Sequence, residues 1–169
     1  MKKFKWMIPL FGLLLTAACG YHLEGGGYLN QDVTRVAVNV FENRSSETGA
    51  GIIFTNALVE EIIRKTDTRV VDDAMADFVI DAQINAITFS TLSRSTTDNV
   101  TERRVTAVVD LKIKDKNNDV VWSVKGFSSD DEYEVSNDAA VDDANRVEAI
   151  EEIARRSAEQ LVSKMVSNF

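Results

Sequence analysis

The sequence predicts an α+β domain, with two helices packed on one face of a mostly antiparallel four-stranded sheet. Three observations carry this. Long stretches alternate apolar and polar residues, most clearly at Val105, Ala107, Val109, Leu111 and Ile113. This is the pattern of strands covered on one side only. Two other stretches repeat their apolar residues at the helical period. The order is strand, helix, three main strands, helix, and strands with one polar face leave both helices the same face to cover.

The elements follow in order. Val33 to Phe41 reads as a strand, with Val36, Val38 and Val40 on one side, and Glu42 to Thr48 as a polar turn. Gly49 to Lys65 reads as a helix whose apolar face is Ile52, Ile53, Leu58, Val59, Ile62 and Ile63. Ser45, Ser46 or Thr48 can cap its start, and Arg64, Lys65 and Arg69 suit its negative end. Thr68 to Val71 is a short extended piece. Asp77 to Leu92 is a long strand whose apolar phase switches after Ala86 to Ile87 and Phe89, which predicts a bulge. Ser93 to Thr101 is a polar loop. Arg103 to Asp115 is the third long strand, and Lys116-Asn117-Asn118-Asp119 turns into a returning strand, Val120 to Tyr133. In that strand Val120, Trp122 and Val124 point inward, and Gly126 permits an irregularity. Asn137 to Ser167 is the longest helix, capped by Ser136 or Asn137, with Val147, Ile150, Ala154, Leu161 and Met165 as its buried stripe.

The start of the chain predicts its location. Lys2, Lys3 and Lys5 precede an apolar run from Trp6 to Leu15, and Leu15-Thr16-Ala17-Ala18-Cys19 then places small residues before the sole cysteine. A basic start, a short apolar run and small residues make a signal peptide, and a cysteine at the cut makes it a lipoprotein signal. The run is too short for the ~20 residues of a membrane span. Residues 1–18 are therefore expected to be removed. Residues 19–32 form a lipidated Cys19 and a flexible tether containing Gly25-Gly26-Gly27, and residues 33–169 form a single domain. Stable anchoring takes at least two acyl chains, and a triacylated Cys19 meets that condition. Gly20 supplies no acidic retention signal, so by resemblance to sorted lipoproteins the expected site is the inner leaflet of the outer membrane, facing the periplasm.

Composition excludes several classes of function. Without residues 1–18, 16 basic residues face 27 acidic ones, a formal charge of −11 on 151 residues. Such a domain is a poor nucleic-acid ligand. One cysteine permits no internal disulfide, and 44% hydrophobic residues suffice for a core. No catalytic constellation is apparent: His22 is the only histidine, and neither a Gly-x-Ser-x-Gly elbow nor a Gly-rich phosphate loop occurs. Asp72-Asp73, Asp130-Asp131 and Asp142-Asp143 lack calcium-loop spacing and read as solvated or helix-capping carboxylates. Neither an enzyme nor a cofactor is expected. Arg94, Arg103 and Arg104 flank the polar loop. Gathered at one hairpin tip, they can bind phosphate or carboxylate groups in bidentate fashion; opposed by Asp98 and Glu102, they can equally be ordinary surface charge.

Four short motifs add a resemblance. Cys19-Gly20-Tyr21-His22-Leu23, the run from Val36 to Ser45 with Phe41-Glu42-Asn43, the Ala76-Asp77 strand start, and Val121-Trp122-Ser123 occur in the order seen in the LptE family of lipopolysaccharide-assembly lipoproteins. The chain resembles that family over nearly all of its length after Cys19. The resemblance implies two helices on a mixed, mostly antiparallel four-stranded sheet. It also implies a non-enzymatic role inside an LptD-like outer-membrane β-barrel: assisting barrel assembly, plugging the lumen and helping to pass lipopolysaccharide outward. Partners would be the barrel, lipopolysaccharide and outer-membrane lipid through Cys19. Arg94, Arg103 and Arg104 become candidate contacts to lipopolysaccharide or to the barrel wall. The Val36–Asn43 run also resembles the first strand of lipoprotein regulators of cell-wall synthases and of secretion channels, which is the alternative reading.

Overall fold

The computed structural model describes residues 27–29, 33–94 and 100–168. The predicted signal peptide, Cys19, His22 and Asp98 lie outside the described residues. The elements are β1 (Arg35–Val38), β2 (Glu42–Asn43), α1 (Ala50–Lys65), β3 (Arg69–Val70), a 3-10 turn (Asp73–Met75), β4 (Phe78–Arg94), β5 (Val100–Asp115), β6 (Val120–Glu134) and α2 (Ala139–Asn168). No described helix is long and apolar enough to cross a membrane.

The fold is α+β with two helices and a mixed sheet, but the sheet has six strands rather than four. Its order is β3-β1-β4-β5-β6, and β2 pairs with β4 beyond β1. β1 and β2 run parallel to β4, and β3 runs parallel to β1. β4, β5 and β6 form an antiparallel meander. The two extra strands arise where only tertiary packing could make them. The predicted strand at residues 33–41 breaks after Val38, because Phe41 turns into the core and its N–H donates to Thr55 Oγ1 at 3.0 Å. The ladder then resumes as β2 inside the predicted polar turn. Gly51 makes this possible, since a Cβ there would stand 2.6 Å from the Phe41 carbonyl oxygen. Val40, expected inside, is 66% exposed.

The two phase changes read in the sequence are present. The β4–β5 register shifts between Ile84 and Ala86, which keeps Ile80, Ile84 and Ile87 on one buried face. The β5–β6 register shifts opposite Gly126, whose φ is +63° and whose N–H donates to Asp110 Oδ1 at 2.7 Å. Trp122 and Val124 are half-buried against the core, whereas Val120 is exposed.

Both helices pack on the face carrying Ile80, Ile84, Val109, Leu111 and Ile113. α1 contributes Phe54, Leu58 and Ile62, and α2 contributes Ile150, Ile153, Ala154, Leu161 and Met165. Burying each large aliphatic side chain contributes about 1.5–3 kcal/mol, so this layer holds the helices to the sheet. Ile52 and Ile63, expected on the buried face of α1, are exposed, as is Val147 of α2. The helical caps also differ from expectation. No side chain caps α1; its N-cap is Gly49 at φ +85°, a left-handed conformation that glycine adopts freely. Ser45 instead bonds Asn43. At α2 the cap is Asp138, whose carboxylate accepts the Ala140 and Val141 N–H groups. Arg69 lies in β3, outside the last turn of α1.

Register divides the molecule into two poles. β1, β3 and β4 start in one row, and Phe78 at the start of β4 lies opposite Asp115 at the β5–β6 turn. The end of α1 joins this row through Thr68 and Arg69. The other pole holds the far ends of β4, β5 and β6 and the start of α2, where Asn145 Nδ2 donates to the Glu134 carbonyl. A 17-residue strand such as β4 separates the poles by roughly 50 Å.

Candidate functional site

The far pole carries the arginines singled out in the sequence. Thr91 pairs with Arg103, Ser90 with Arg104, and Arg94 with Val100. All three therefore sit at the end of the β4–β5 hairpin. They do not share a face, because consecutive strand residues point to opposite sides. Arg103 falls on the helix side, in register with Tyr133, and Arg104 on the bare side, in register with Glu132. Arg104 Nη2 donates to Glu132 Oε1 at 2.7 Å, and its Nε lies 3.6 Å from Asp130 Oδ2. The hydrogen bond and charge of Glu132 raise the Arg104 pKa above its ordinary value, so its fork is already spent on carboxylates. An external phosphate must displace Glu132 to reach it. Arg103 has no ion pair among the described residues, and Arg94 is exposed.

Two features of this pole escaped sequence reasoning. Tyr133 packs edge-on against Phe89, with ring centroids 6.3 Å apart, and its buried hydroxyl has no hydrogen-bond partner among the described residues. Beside it β6 and the first half of α2 enclose an open groove of about 600 Å³ lined by Asp131, Glu134, Glu148, Glu151 and Glu152. These carboxylates are scattered along two segments, so only packing reveals that they form one wall. Their partial counterions are Arg156, which bonds Glu152 and Asp131 at 3.0 and 3.1 Å, and Arg155, whose Nε donates to Glu152 at 2.9 Å.

Two of the three Asp pairs have ordinary roles, and Asp72 and Asp73 lie exposed at the 3-10 turn. Asp130 and Asp131 face opposite sides of β6 and pair with Arg104 and Arg156. Asp142 accepts the Ser136 N–H, and Asp143 pairs with Arg146. Among the described residues no three His, Cys, Asp or Glu side chains are grouped to hold a metal ion.

The sheet face away from the helices is polar and uncovered by any described element. Asp81 anchors it, accepting from Asn39 Nδ2 at 2.8 Å and pairing with Lys114 at 2.8 Å and Lys112 at 3.9 Å. Thr88, Ser90, Thr106 and Val108 continue it toward the hairpin. It is a broad polar surface, and Asn39, Asp81, Gln83, Asp110, Lys112 and Lys125 border an open depression of about 610 Å³ on it.

At the opposite pole the chain enters the domain. Leu29 is fully buried, its N–H donates to Thr68 Oγ1 at 3.0 Å, and the Gly27 carbonyl accepts from Asp67 N–H at 3.0 Å. The end of the predicted tether is thus part of the core. Asp77 closes the same pole. It is gripped by Arg35 through two bonds of 2.8 and 2.9 Å and by Lys116 at 2.8 Å. The hydrogen bond from Arg35, then that from Lys116, holds its carboxyl well below the usual range.

Comparison with known proteins gives this architecture relatives. A candidate lipoprotein of Caulobacter crescentus superposes with a TM-score of 0.61 at 14% identity, covering 82% of this chain and 93% of that one. An uncharacterized lipoprotein B of Nitrosomonas europaea gives 0.55 at 17% identity, over 80% and 83% of the two chains. The rare lipoprotein B of Shewanella oneidensis gives 0.52 at 16% identity, over 79% and 94%. At these identities the likeness is one of fold. No curated protein matches the sequence. The lipopolysaccharide-assembly model LptE matches residues 33–165, from the strand before α1 almost to the end of α2. The chain therefore belongs to the LptE lipopolysaccharide-assembly family.

Proposed function

We propose that this protein is a non-enzymatic outer-membrane lipoprotein, anchored by an acylated Cys19, that partners and plugs an LptD-like β-barrel and assists lipopolysaccharide assembly at the outer membrane. The observation that carries the reading is the family match over residues 33–165. The signal at Leu15–Cys19 supports the anchor. The uncovered face around Asp81, Thr88 and Thr106 supports the barrel: a polar sheet face can lie in a water-filled lumen without leaving apolar surface wet.

The test is an affinity pull-down of the tagged, lipidated protein from detergent-solubilised outer membranes, with partners identified by mass. A stoichiometric β-barrel of LptD size is the expected result. Recovery of a cell-wall synthase or a secretion pore instead would overturn the barrel reading in favour of the regulator reading. Replacing Cys19 with Ala is expected to release the protein from membranes; undiminished membrane association would refute the anchor.

Within this function Arg94, Arg103 and Arg104 are the proposed contacts to lipopolysaccharide phosphate or to the barrel wall. Arg103 is in no ion pair among the described residues. The charge reversal Arg103→Glu with Arg104→Glu is expected to weaken lipopolysaccharide binding while leaving the circular dichroism spectrum unchanged. Equal binding by wild type and variant would remove the hairpin end from consideration.

A further inference from the structure

We propose that the groove between β6 and the first half of α2 docks an extended, basic segment of a partner protein, which lies along the free edge of β6 and pairs with the backbone of Glu132. The proposal rests on the geometry of this edge and goes beyond the anchor and barrel readings.

The first argument is backbone direction. β6 is the last strand of the sheet, with β5 on one side and no described strand on the other. The opposite edge, β3, is only two residues long. The Val135 N–H donates to the Thr101 carbonyl, so Val135 faces inward. Along an antiparallel strand the backbone groups of successive residues alternate between the two sides. Asp131 and Tyr133 therefore face β5, and Asp130, Glu132 and Glu134 face outward. Two of the outward carbonyls are taken, that of Asp130 by Arg156 Nη1 at 3.2 Å and that of Glu134 by Asn145 Nδ2 at 2.8 Å. Between them the N–H and carbonyl of Glu132 have no partner among the described residues. Such an open pair is what an added strand bonds.

The second argument is charge complementarity. Asp131, Glu132, Glu134, Glu148, Glu151 and Glu152 line the groove against one cation, Arg155. Arg104 and Arg156 stand beside it, the first already bonded to Glu132 and the second to Glu152 and Asp131. Arg103 lies one strand further in, opposite Tyr133. Glu134, Glu148 and Glu151 are exposed and in no ion pair among the described residues. Asn145, Glu148, Glu152 and Arg155 share one stripe of α2 at helical spacing, so the helix turns carboxylates toward the strand edge. In a chain paired at Glu132, the residues on either side of the pair project toward α2. Lysine or arginine at those alternate positions meets the unpaired carboxylates.

The third argument is an unmade bond. Tyr133 lines the same groove, is 7% exposed, and its hydroxyl has no hydrogen-bond partner among the described residues. Buried polar groups are nearly always bonded. Exposed carboxylates alone are satisfied by water and mark nothing. Here unpaired charge, an unbonded buried hydroxyl and an open strand backbone coincide in one groove, and an extended basic chain answers all three.

The test uses the lipidated full-length protein in non-ionic detergent at low salt. The probes are a peptide of four lysine–threonine repeats with blocked ends, and spermine, which carries the same charge without a peptide backbone. The peptide is expected to bind at least about tenfold more tightly than spermine and to slow amide exchange at Glu132, read by NMR. Glu134→Gln with Glu148→Gln and Glu151→Gln should weaken peptide binding by about tenfold. Asp72→Asn with Asp73→Asn and Asp119→Asn removes the same charge at the opposite pole and should change it by less than about twofold. All six positions are exposed, and circular dichroism checks that both variants fold. Peptide binding no tighter than that of spermine, unchanged exchange at Glu132, or equal losses in the two variants would each overturn the proposal.

Discussion

The two poles of this domain are built on opposite principles. The entry pole is closed by contacts between residues far apart in sequence: Leu29 with Thr68, Arg35 with Asp77, and Lys116 with Asp77. The hairpin pole is an extension of three neighbouring strands, where β4, β5 and β6 run past the row of short strands and carry like charge on β6 and α2. Where contacts join segments far apart in sequence around a buried residue such as Leu29, order resists perturbation. Where a ribbon projects with charged side chains, substitutions cost little stability and are free to serve recognition. The difference separates a pole fastened across the sequence from a pole that projects as neighbouring strands.

The largest expected effect follows from Leu29. Leu29→Ala removes a fully buried side chain and should lower stability by about 2–5 kcal/mol. Leu92→Ala at the other pole should stay within about 0.5 kcal/mol. Denaturation midpoints of the two variants measure the contrast directly, and equal shifts would break it. Trp122→Ala comes next. Trp122 is half-buried in register with Ile113, so the loss should be about 1–2 kcal/mol, below the 3–5 kcal/mol of a fully enclosed tryptophan. A midpoint shift at the upper figure would mean that Trp122 is a core residue in solution.

The smallest effect is one of pH. Asp77 is held below its ordinary pKa by Arg35 and Lys116. Its contribution is therefore complete above the unfolded carboxylate value of about 3.9 and is lost as pH falls toward the depressed folded value. Asp77→Asn should lower the thermal midpoint at pH 6 and flatten its fall between about pH 4 and 2. Parallel acid limbs for the variant and wild type would show that this grip is not formed in solution.

The hairpin arginines show how far sequence reasoning reaches. Their position at one end of the sheet follows from the length and pairing of two alternating strands. Their division between two faces follows equally from strand parity, since 103 is odd-placed and 104 even-placed in a ladder whose inward set is Val105, Ala107 and Val109. The capture of Arg104 by Glu132 does not follow, because it depends on the register of β6 after the shift at Gly126. The burial of Leu29 is similar: one leucine after three glycines has no periodic neighbours to mark it.

The sequence by itself determined the long meander, both helices, the two bulges and the polar outer face, because periodicity is a local property and burial on one side imprints it. Only the tertiary structure decided the two short parallel strands, the glycine entry of α1, the cap at Asp138, the docked Leu29 and the acidic wall. The short strands, Leu29 and the acidic wall depend on partners tens of residues away, the two caps are chosen among several local candidates by how the helices dock, and a two-residue strand or a single buried leucine carries no period of its own to be read in advance.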